Sequence, residues 1–256
     1  MIMRRKIVAG NWKMNKDLNE SLGLVTEIKG IVKDEIRNDA EIILFPPYIS
    51  LASIAKNIEK HNIQIGAQNV HQENSGAYTG EISVEMLKSV GCTHVIIGHS
   101  ERRHYFSEEN ELLNQKIRKV IGAGLTPIYC IGETLDEREN GDLWDVIKTQ
   151  LWEGMEGVDN DIQPSKLIIA YEPVWAIGTG KTATTEQAQD VHSYIREELA
   201  EIFSPEIAAG IRIIYGGSVK PDNAKELFSA PDIDGGLVGG ASLKSRDFCE
   251  IIKAAG

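Results

Sequence analysis

Short apolar runs alternate with longer amphipathic segments along the whole chain of 256 residues. A short run of bulky apolar residues is typical of a buried parallel strand, whereas apolar positions spaced three or four residues apart are typical of a helix. The sequence therefore predicts strands at residues 6–10, 41–45, 63–67, 94–97, 127–131, 167–171, 212–215 and 236–238. It predicts helices at residues 18–36, 51–60, 84–90, 111–123, 143–155, 186–202, 224–228 and 248–254.

Capping signals support two of these helix starts. Thr184 is followed three residues later by Gln187, which predicts a capping box in which each side chain binds the other residue's backbone N–H. Asn223 or Asp222 is predicted to cap the helix at residues 224–228. The residues that follow His99 also have the pattern of a helix opening.

Eight strands, each followed by a helix after a short connection, predict a parallel sheet with right-handed crossovers. Two architectures fit this order: a doubly wound open sheet and a closed (β/α)8 barrel. The number of strands favours the barrel, which typically takes about 250 residues. No break in composition or flexible linker marks a second domain. We therefore expect an α/β protein with a single barrel domain over residues 1–256.

The charge balance limits the kinds of partner. The chain has 27 basic and 38 acidic residues, a net charge of −11, so neither a nucleic acid nor an anionic membrane is an expected partner. An anionic ligand would be repelled by the overall field. Its site must therefore use local backbone N–H groups and one or two well-placed cations.

The three cysteines, Cys92, Cys130 and Cys249, lie far apart in the sequence and have no metal-binding spacing. We interpret them as small packing residues in a reducing compartment. The first residues do not resemble a signal peptide, and no apolar stretch approaches the length of a membrane span. The sequence therefore predicts a cytoplasmic protein.

One carboxylate stands where the sixth predicted strand ends. Glu172 is followed by Pro173, which cannot donate to a sheet ladder and so stops the pairing there. Residues 173–183 then have an apolar start, a Gly-Thr-Gly centre and a Lys-Thr-Ala end, which suits a lid over a site. The alternative is an ordinary exposed glutamate beside a Gly-rich surface turn.

Other polar residues follow other strands, and in a barrel the carboxyl ends of all strands converge on one rim. Asn11 and Lys13 follow the first strand, where Lys13 could pair with a bound anion or simply be solvated. His99 follows the fourth strand at a helix N-terminus, which disfavours the imidazolium. Glu101 could orient Lys13 or His99, or it could pair with a neighbouring arginine.

Gly-Gly turns follow the seventh and eighth predicted strands. Glycine lets backbone N–H groups approach an anion closely, and barrels commonly bind phosphate at these two loops. Ser218, Gly239 and Gly240 are therefore candidate phosphate-binding residues, unless the glycines merely form two tight turns. The chain contains no nucleotide-binding motif, so no nucleotide cofactor is expected.

Histidine spacing gives no metal set. The sequence contains no HExxH motif, and His94, His99 and His104 recur every five residues rather than on one helical face. We predict no metal site.

The loop over residues 68–80 is long and almost without apolar residues. It could fold on itself as an Ω-loop or reach a neighbouring subunit. The sequence leaves both possibilities open.

Five motifs together resemble the triosephosphate isomerase family. The resemblance is collinear from about residue 6 to residue 253, in the right order and on the predicted strand ends. The motifs are AGNWKMN at 9–15, GHSERR at 98–103, AYEPVWAIGTGKTA at 170–183, YGGSV at 215–219 and LVGGASL at 237–243.

The resemblance implies a cofactor-free isomerase of glycolysis and gluconeogenesis that interconverts dihydroxyacetone phosphate and D-glyceraldehyde 3-phosphate. It implies that Glu172 is the base, neutral His99 the electrophile and Lys13 the counter-charge, with Asn11 and Glu101 also in the catalytic set. It further implies a homodimer built through residues 68–80, in which Thr79 lies near Lys13 of the partner subunit. Backbone N–H groups at Gly178, Ser218, Gly239 and Gly240 would hold the substrate phosphate.

Two departures from the family pattern lie outside the proposed catalytic positions. Ser107 stands where the family usually has glycine, which puts a local turn in question. Gly235 and Gly236 precede Leu237, and the family often has a larger residue at the position of Gly236. The packing of the barrel at this position is therefore in question.

Two alternatives to this function remain open. The first is a barrel enzyme acting on a larger phosphosugar, and a panel of substrates would distinguish it from an enzyme acting on triose phosphates. A non-catalytic phosphate-binding or scaffold barrel would bind phosphate without exchanging ligand protons with solvent.

Overall fold

Eight parallel strands close into a barrel in chain order, with the last strand paired to the first. The computed structural model describes residues 4–177 and 183–256. The predicted strands are confirmed, and none of their ends differs by more than one residue from the observed ends. The strands are β1 Ile7–Asn11, β2 Glu41–Phe45, β3 Gln64–Ala67, β4 His94–Ile97, β5 Thr126–Ile131, β6 Ile168–Tyr171, β7 Arg212–Tyr215 and β8 Gly235–Val238.

Helices surround the barrel, and all eight predicted helices are present, seven of them with shifts at their ends. The described residues also contain short 3-10 helices and three short α-helices outside that set: one that the sequence predicts only by its opening at Ser100, and two that it does not predict. The helices are α1 Leu18–Glu35, α2 Leu51–Ile58, α3 Val84–Ser89, α4 Ser100–Phe106, α5 Asn110–Gly122, α6 Leu135–Asn140, α7 Leu143–Met155, α8 Thr185–Ile202, α9 Pro205–Gly210, α10 Ala224–Ser229 and α11 Ser245–Lys253.

The two unpredicted helices, α6 and α9, are short and lack a long apolar face. In α6 no residue is buried, so no hydrophobic period marks it. Its start does carry a capping box between Thr134 and Glu137. In α9, Ser204 caps the N-terminus and Pro205 occupies the first turn. Capping residues were therefore the available signal for both helices.

The apolar core has two layers, because successive side chains of a strand point to opposite faces. Ile7, Ala9 and Ile43 belong to the cluster inside the barrel. Val8 and Ile42 belong to the larger cluster between the strands and the surrounding helices. The barrel is thus filled by side chains, and the space for a ligand lies at its ends.

Glycines at the start of β8 allow the barrel to close. Gly235 has a φ of +129°, and a Cβ atom there would overlap the carbonyl oxygen of Ile7 on the paired strand. A Cβ atom on Gly236 would lie 3.2 Å from the ring of Phe228. The small residues at this departure from the family pattern therefore fit the packing. At the other departure, Ser107 takes the left-handed conformation itself, with φ 53°.

The two capping predictions have different outcomes. The capping box of Thr184 and Gln187 is present at the start of α8. Asn223 occupies the N-cap position of α10, but its side chain makes no capping hydrogen bond. Its Oδ1 instead accepts a hydrogen bond from the backbone N–H of Lys220 at 2.8 Å. The prediction of a side-chain cap at Asn223 or Asp222 is therefore wrong.

In the described part of the chain, no helix is long and apolar enough to cross a membrane.

Two histidines are buried in the fold without a direct role in the rim described below. Burial lowers the pKa of His94 to about 4, and that of His192 also to about 4. His94 Nδ1 lies 2.8 Å from the Thr93 hydroxyl, and His192 Nδ1 lies 3.1 Å from the carbonyl oxygen of Asp232. The Nε2 atom of His192 has no partner among the described residues. Both rings are therefore neutral in the folded protein at neutral pH.

We expect stability to fall as the pH drops from about 6.5 toward about 4, because the unfolded state binds protons at these histidines before the folded state does. Each histidine contributes on the order of 3 kcal/mol over the full window. His192→Gln keeps an N–H donor for Asp232 but cannot titrate. Urea unfolding at several pH values should therefore show a smaller loss of stability on acidification in this variant than in the wild type.

Exposed His104 offers the matched control, His104→Gln. An equal loss of stability on acidification in wild type and His192→Gln would contradict this assignment.

Candidate active site

A cavity of about 270 Å³ opens at the carboxyl ends of the strands. A larger cavity of about 650 Å³ lies at the opposite end of the barrel, around Arg212 and His94. We assign the site to the smaller cavity because the polar strand ends converge there. The described residues that line it are Asn11, Lys13, His99, Glu172, Ile177, Gly216, Gly217, Ser218, Val219, Lys220, Leu237, Gly239, Gly240 and Ala241.

The carboxylate of Glu172 is buried, with 2% of the residue exposed. Its Oε2 accepts a hydrogen bond from the backbone N–H of Ser100 at 2.8 Å. Its Oε1 lies 3.1 Å from Nε2 of His99. A buried charge requires such partners, since an unpaired carboxylate in the interior is strongly disfavoured. The predicted acid and imidazole therefore lie in direct contact.

The ring of His99 has a defined orientation at the start of α4. Its Nδ1 accepts a hydrogen bond from the backbone N–H of Glu101 at 3.2 Å, so this nitrogen carries no proton. The neutral tautomer therefore has its proton on Nε2, the atom that faces Glu172. The start of the helix thus sets the orientation of the ring.

Lys13 is held at the cavity by two neighbours. Its Nζ forms an ion pair with Oε1 of Glu101 at 2.7 Å, and its backbone N–H binds Oδ1 of Asn11 at 3.0 Å. Lys13 has a φ of 52°, a conformation that is uncommon outside glycine. Of the two open readings of Glu101, contact with Lys13 is the one observed. The second oxygen of Glu101 lies 3.7 Å from Nδ1 of His99.

Two glycines make room for Glu172. A Cβ atom on Gly132 would overlap the carbonyl oxygen of Glu172, and one on Gly216 would lie 2.8 Å from its Cγ atom. Both glycines follow strands that pair with β6. The strand carrying the carboxylate is therefore packed between two backbones that have no side chains at this level.

The two Gly-rich turns lie on one side of the cavity. Ser218, Gly239 and Gly240 all line it, as predicted for an anion cradle. The backbone N–H groups of these three residues have no acceptor among the described residues. They are therefore available to an anionic ligand. Gly178, the fourth predicted contributor, lies outside the described residues.

The first part of the predicted lid is anchored by Glu133, a residue for which the sequence predicts no specific role. Glu133 is fully buried and accepts hydrogen bonds from Trp175 Nε1 at 2.8 Å and from the Tyr171 hydroxyl at 3.1 Å. Arg138 donates to it at 2.8 Å and lies over the ring of Trp175. Because these contacts hold residues Val174–Ala176 in place, this segment could serve as the hinge of the predicted lid. Residues 178–182 of the predicted lid lie outside the described residues.

The loop at residues 68–80 contacts the site at its start and is exposed to solvent near its end. The side-chain amide of Gln68 donates to the carbonyl oxygen of Lys13 at 2.9 Å. Thr79 is exposed, as is the ring of Tyr78 at 45%. Met14, next to Lys13, is 96% exposed. Met14 and Tyr78 therefore leave apolar side-chain surface exposed in the single chain.

The cysteines do not supply reactive thiols. Cys92, Cys130 and Cys249 are all buried and free. Burial raises the pKa of Cys92 and of Cys249 to about 12, and it raises the pKa of Cys130 well above its usual value. The thiols therefore stay protonated. Within residues 4–177 and 183–256, no cluster of three or more His, Cys, Asp or Glu side chains could hold a metal ion.

The fold and this cavity together define a class: a closed (β/α)8 barrel in which a carboxylate, an imidazole and a lysine line one cavity at the carboxyl ends of the strands. The family model for triosephosphate isomerase matches residues 6–255. The chain belongs to the triosephosphate isomerase family, as the five sequence motifs predict.

Curated relatives agree with the family model. The chain is 54% identical over 252 residues to the triosephosphate isomerase of Cytophaga hutchinsonii, covering 98% of this chain and 100% of the relative. It is 53% identical over 253 residues to that of Prosthecochloris aestuarii, covering 99% of each chain. It is 50% identical over 252 residues to that of Fusobacterium nucleatum, covering 98% of this chain and 99% of the relative.

The close approach at Glu172 gives a test of the packing. We expect Gly132→Ala to destabilise the protein by about 3 kcal/mol, because the added methyl group overlaps backbone that cannot move without shifting the strand end. Gly240→Ala is the matched control, since a Cβ atom there meets nothing within 4 Å. Thermal unfolding of both variants measures the difference, and equal stability of the two would contradict the described contact.

Proposed function

We propose that this chain catalyses the interconversion of dihydroxyacetone phosphate and D-glyceraldehyde 3-phosphate, without a cofactor, in the cytoplasm. The observation that carries the proposal is the contact of Glu172 with His99, beside Lys13, at a cavity of about 270 Å³. A cavity of that size suits a three-carbon phosphoester. The homologues' names and the family match support the same reaction.

The chemistry needs a base, because the reaction moves a proton between two neighbouring carbons. Removing a carbon-bound proton beside a carbonyl group gives an enediolate. We assign Glu172 as the base, since its carboxylate is buried and water-poor. Both of its oxygens contact protein groups, Ser100 and His99, in the described arrangement. A bound substrate would have to replace these contacts for the carboxylate to reach carbon.

The enediolate needs donors at both oxygens. We assign neutral His99 as the electrophile, because the hydrogen bond to its Nδ1 leaves the proton on Nε2 at the cavity. Lys13 provides the positive charge that balances the anion, and Asn11 helps place it. We assign Glu101 as a positioning residue that acts through Lys13 and the His99 ring.

The phosphate group needs a cradle and protection from water. We assign the backbone N–H groups of Ser218, Gly239, Gly240 and Gly178 to the phosphate, with residues 173–183 as the lid. The lid assignment is supported by the anchoring of Trp175 on Glu133 and by Ile177 at the cavity. An enediolate phosphate exposed to water would lose its phosphate. A lid that contacts the phosphate would therefore also protect the intermediate.

We also propose a homodimer through residues 68–80, with Thr79 of one subunit near Lys13 of the partner subunit. This proposal is supported by the exposed apolar side chains of Tyr78, within the loop, and of Met14, next in sequence to the Lys13 that the loop contacts through Gln68. Such a partner would bury surface that is otherwise unfavourably exposed to water.

Glu172→Asp tests the assignment of the base. The substitution keeps the charge but retracts the carboxylate by one methylene group, so we expect kcat to fall by about 10²- to 10⁴-fold. The measurement is isomerase turnover in both directions at saturating substrate. Glu226→Asp, on the outer helix α10, is the matched control. Turnover within a few-fold of wild type in Glu172→Asp would reject the assignment.

Thr79→Arg tests the proposed dimer. A bulky charge at this loop should separate the subunits, so that light scattering gives a mass near the 28.3 kDa of one chain instead of twice that value. Thr26→Arg, on the exposed face of α1, should leave the mass unchanged. A wild-type protein that measures as a single chain would refute the dimer, as would a Thr79→Arg variant that keeps the double mass.

A further inference from the structure

Two of the described lysines line the site cavity, and of these two only Lys13 has an ion-pair partner among the described residues. Lys13 is bound to Glu101 at 2.7 Å, so this pair adds little net charge to the cavity. Lys220 is exposed and lines the cavity, and none of the described carboxylates lies within ion-pair distance of it. Glu172 adds a negative charge to the lining. Among the described lining residues, the ammonium group of Lys220 is therefore the positive charge that no carboxylate balances directly.

The turn that carries Lys220 is held by two hydrogen bonds from the side chain of Asn223. Oδ1 of Asn223 accepts the backbone N–H of Lys220 at 2.8 Å, and its Nδ2 donates to the carbonyl oxygen of Ser218 at 2.9 Å. The side chain that fails to cap α10 thus clamps both ends of the turn. The clamped turn thus carries both Lys220 and Ser218, and both residues line the cavity.

The whole molecule opposes the entry of an anion, because its net charge is −11. A cation at the cavity lip raises the local concentration of anions and strengthens their binding. We propose that Lys220, positioned by Asn223, is a specificity-determining residue that attracts and holds the phosphate end of the substrate. This inference rests on the proposed function, and it adds a residue that acts in substrate capture rather than in proton transfer.

The kinetic constants distinguish a residue that acts in substrate capture from one that acts in the chemical step. Removing a charge that acts in capture lowers kcat/KM and weakens phosphate binding but leaves kcat nearly unchanged. The effect should fade with salt, because the screening length falls from about 30 Å at 0.01 M to about 8 Å at 0.15 M ionic strength. A merely structural role would show neither signature.

The experiment compares Lys220→Gln with Lys225→Gln in the full-length protein. Lys225 is exposed on α10 outside the cavity, so both variants change the net charge equally. We expect Lys220→Gln to lower kcat/KM by about five-fold at about 0.01 M ionic strength and by about two-fold at about 0.15 M. Lys225→Gln should change it by less than about two-fold at either salt concentration. Equal effects of the two variants, or a fall in kcat alone, would overturn the proposal.

Inorganic phosphate gives a second readout that does not depend on catalysis. Calorimetric titration should show weaker phosphate binding in Lys220→Gln than in Lys225→Gln, and Asn223→Ala should weaken it in the same direction by releasing the clamp. Unchanged phosphate affinity in Lys220→Gln would overturn the inference. A wild-type protein that binds phosphate through Lys220 but does not isomerise the triose phosphates would refute the proposed function alone.

Discussion

The buried charge of Glu172 is the constraint on which the site depends. A carboxylate in the interior is tolerated only with hydrogen-bond donors, and here these are the Ser100 N–H and the His99 ring. Both donors come from the start of α4, whose N-terminus also fixes the ring through the Glu101 N–H. Glycine at 132 and 216 leaves room for Glu172 between the neighbouring strand ends. One ionised group thus determines the residue types around it.

In the proposed function, local groups bind the substrate's negative charge, and the overall electrostatic field of the protein does not. The protein is acidic, yet the cavity presents the Lys13–Glu101 pair, free backbone N–H groups and the unpaired Lys220. Backbone donors add no net charge and need no reorganisation when an anion arrives. The proposed binding of an anion at this rim is therefore compatible with an acidic surface elsewhere on the molecule.

Much of the fold could be read from the sequence, because parallel buried strands leave continuous apolar runs and their carboxyl ends must meet. For this reason, the positions of Glu172, His99 and Lys13 just after strands predict that the three residues lie at one rim. Helix α6 was missed because none of its residues is buried. The roles of Glu133 and of the Ser100 N–H could not be found, because they arise only when β5, β6 and α4 are side by side. Asn223 shows the limit of local signals, since its position was right and its partner was not.

In the proposed reaction a proton leaves substrate carbon for Glu172 and returns from it. This transfer can be tested by converting dihydroxyacetone phosphate in D₂O and analysing the product's carbon-bound hydrogens by NMR. A proton held on a carboxylate can exchange with solvent, so we expect glyceraldehyde 3-phosphate to carry deuterium at C2. Full conversion with no deuterium at that carbon would rule out Glu172 as a solvent-exchanging carrier of the proton, because the hydrogen would then have moved without passing through an exchangeable group.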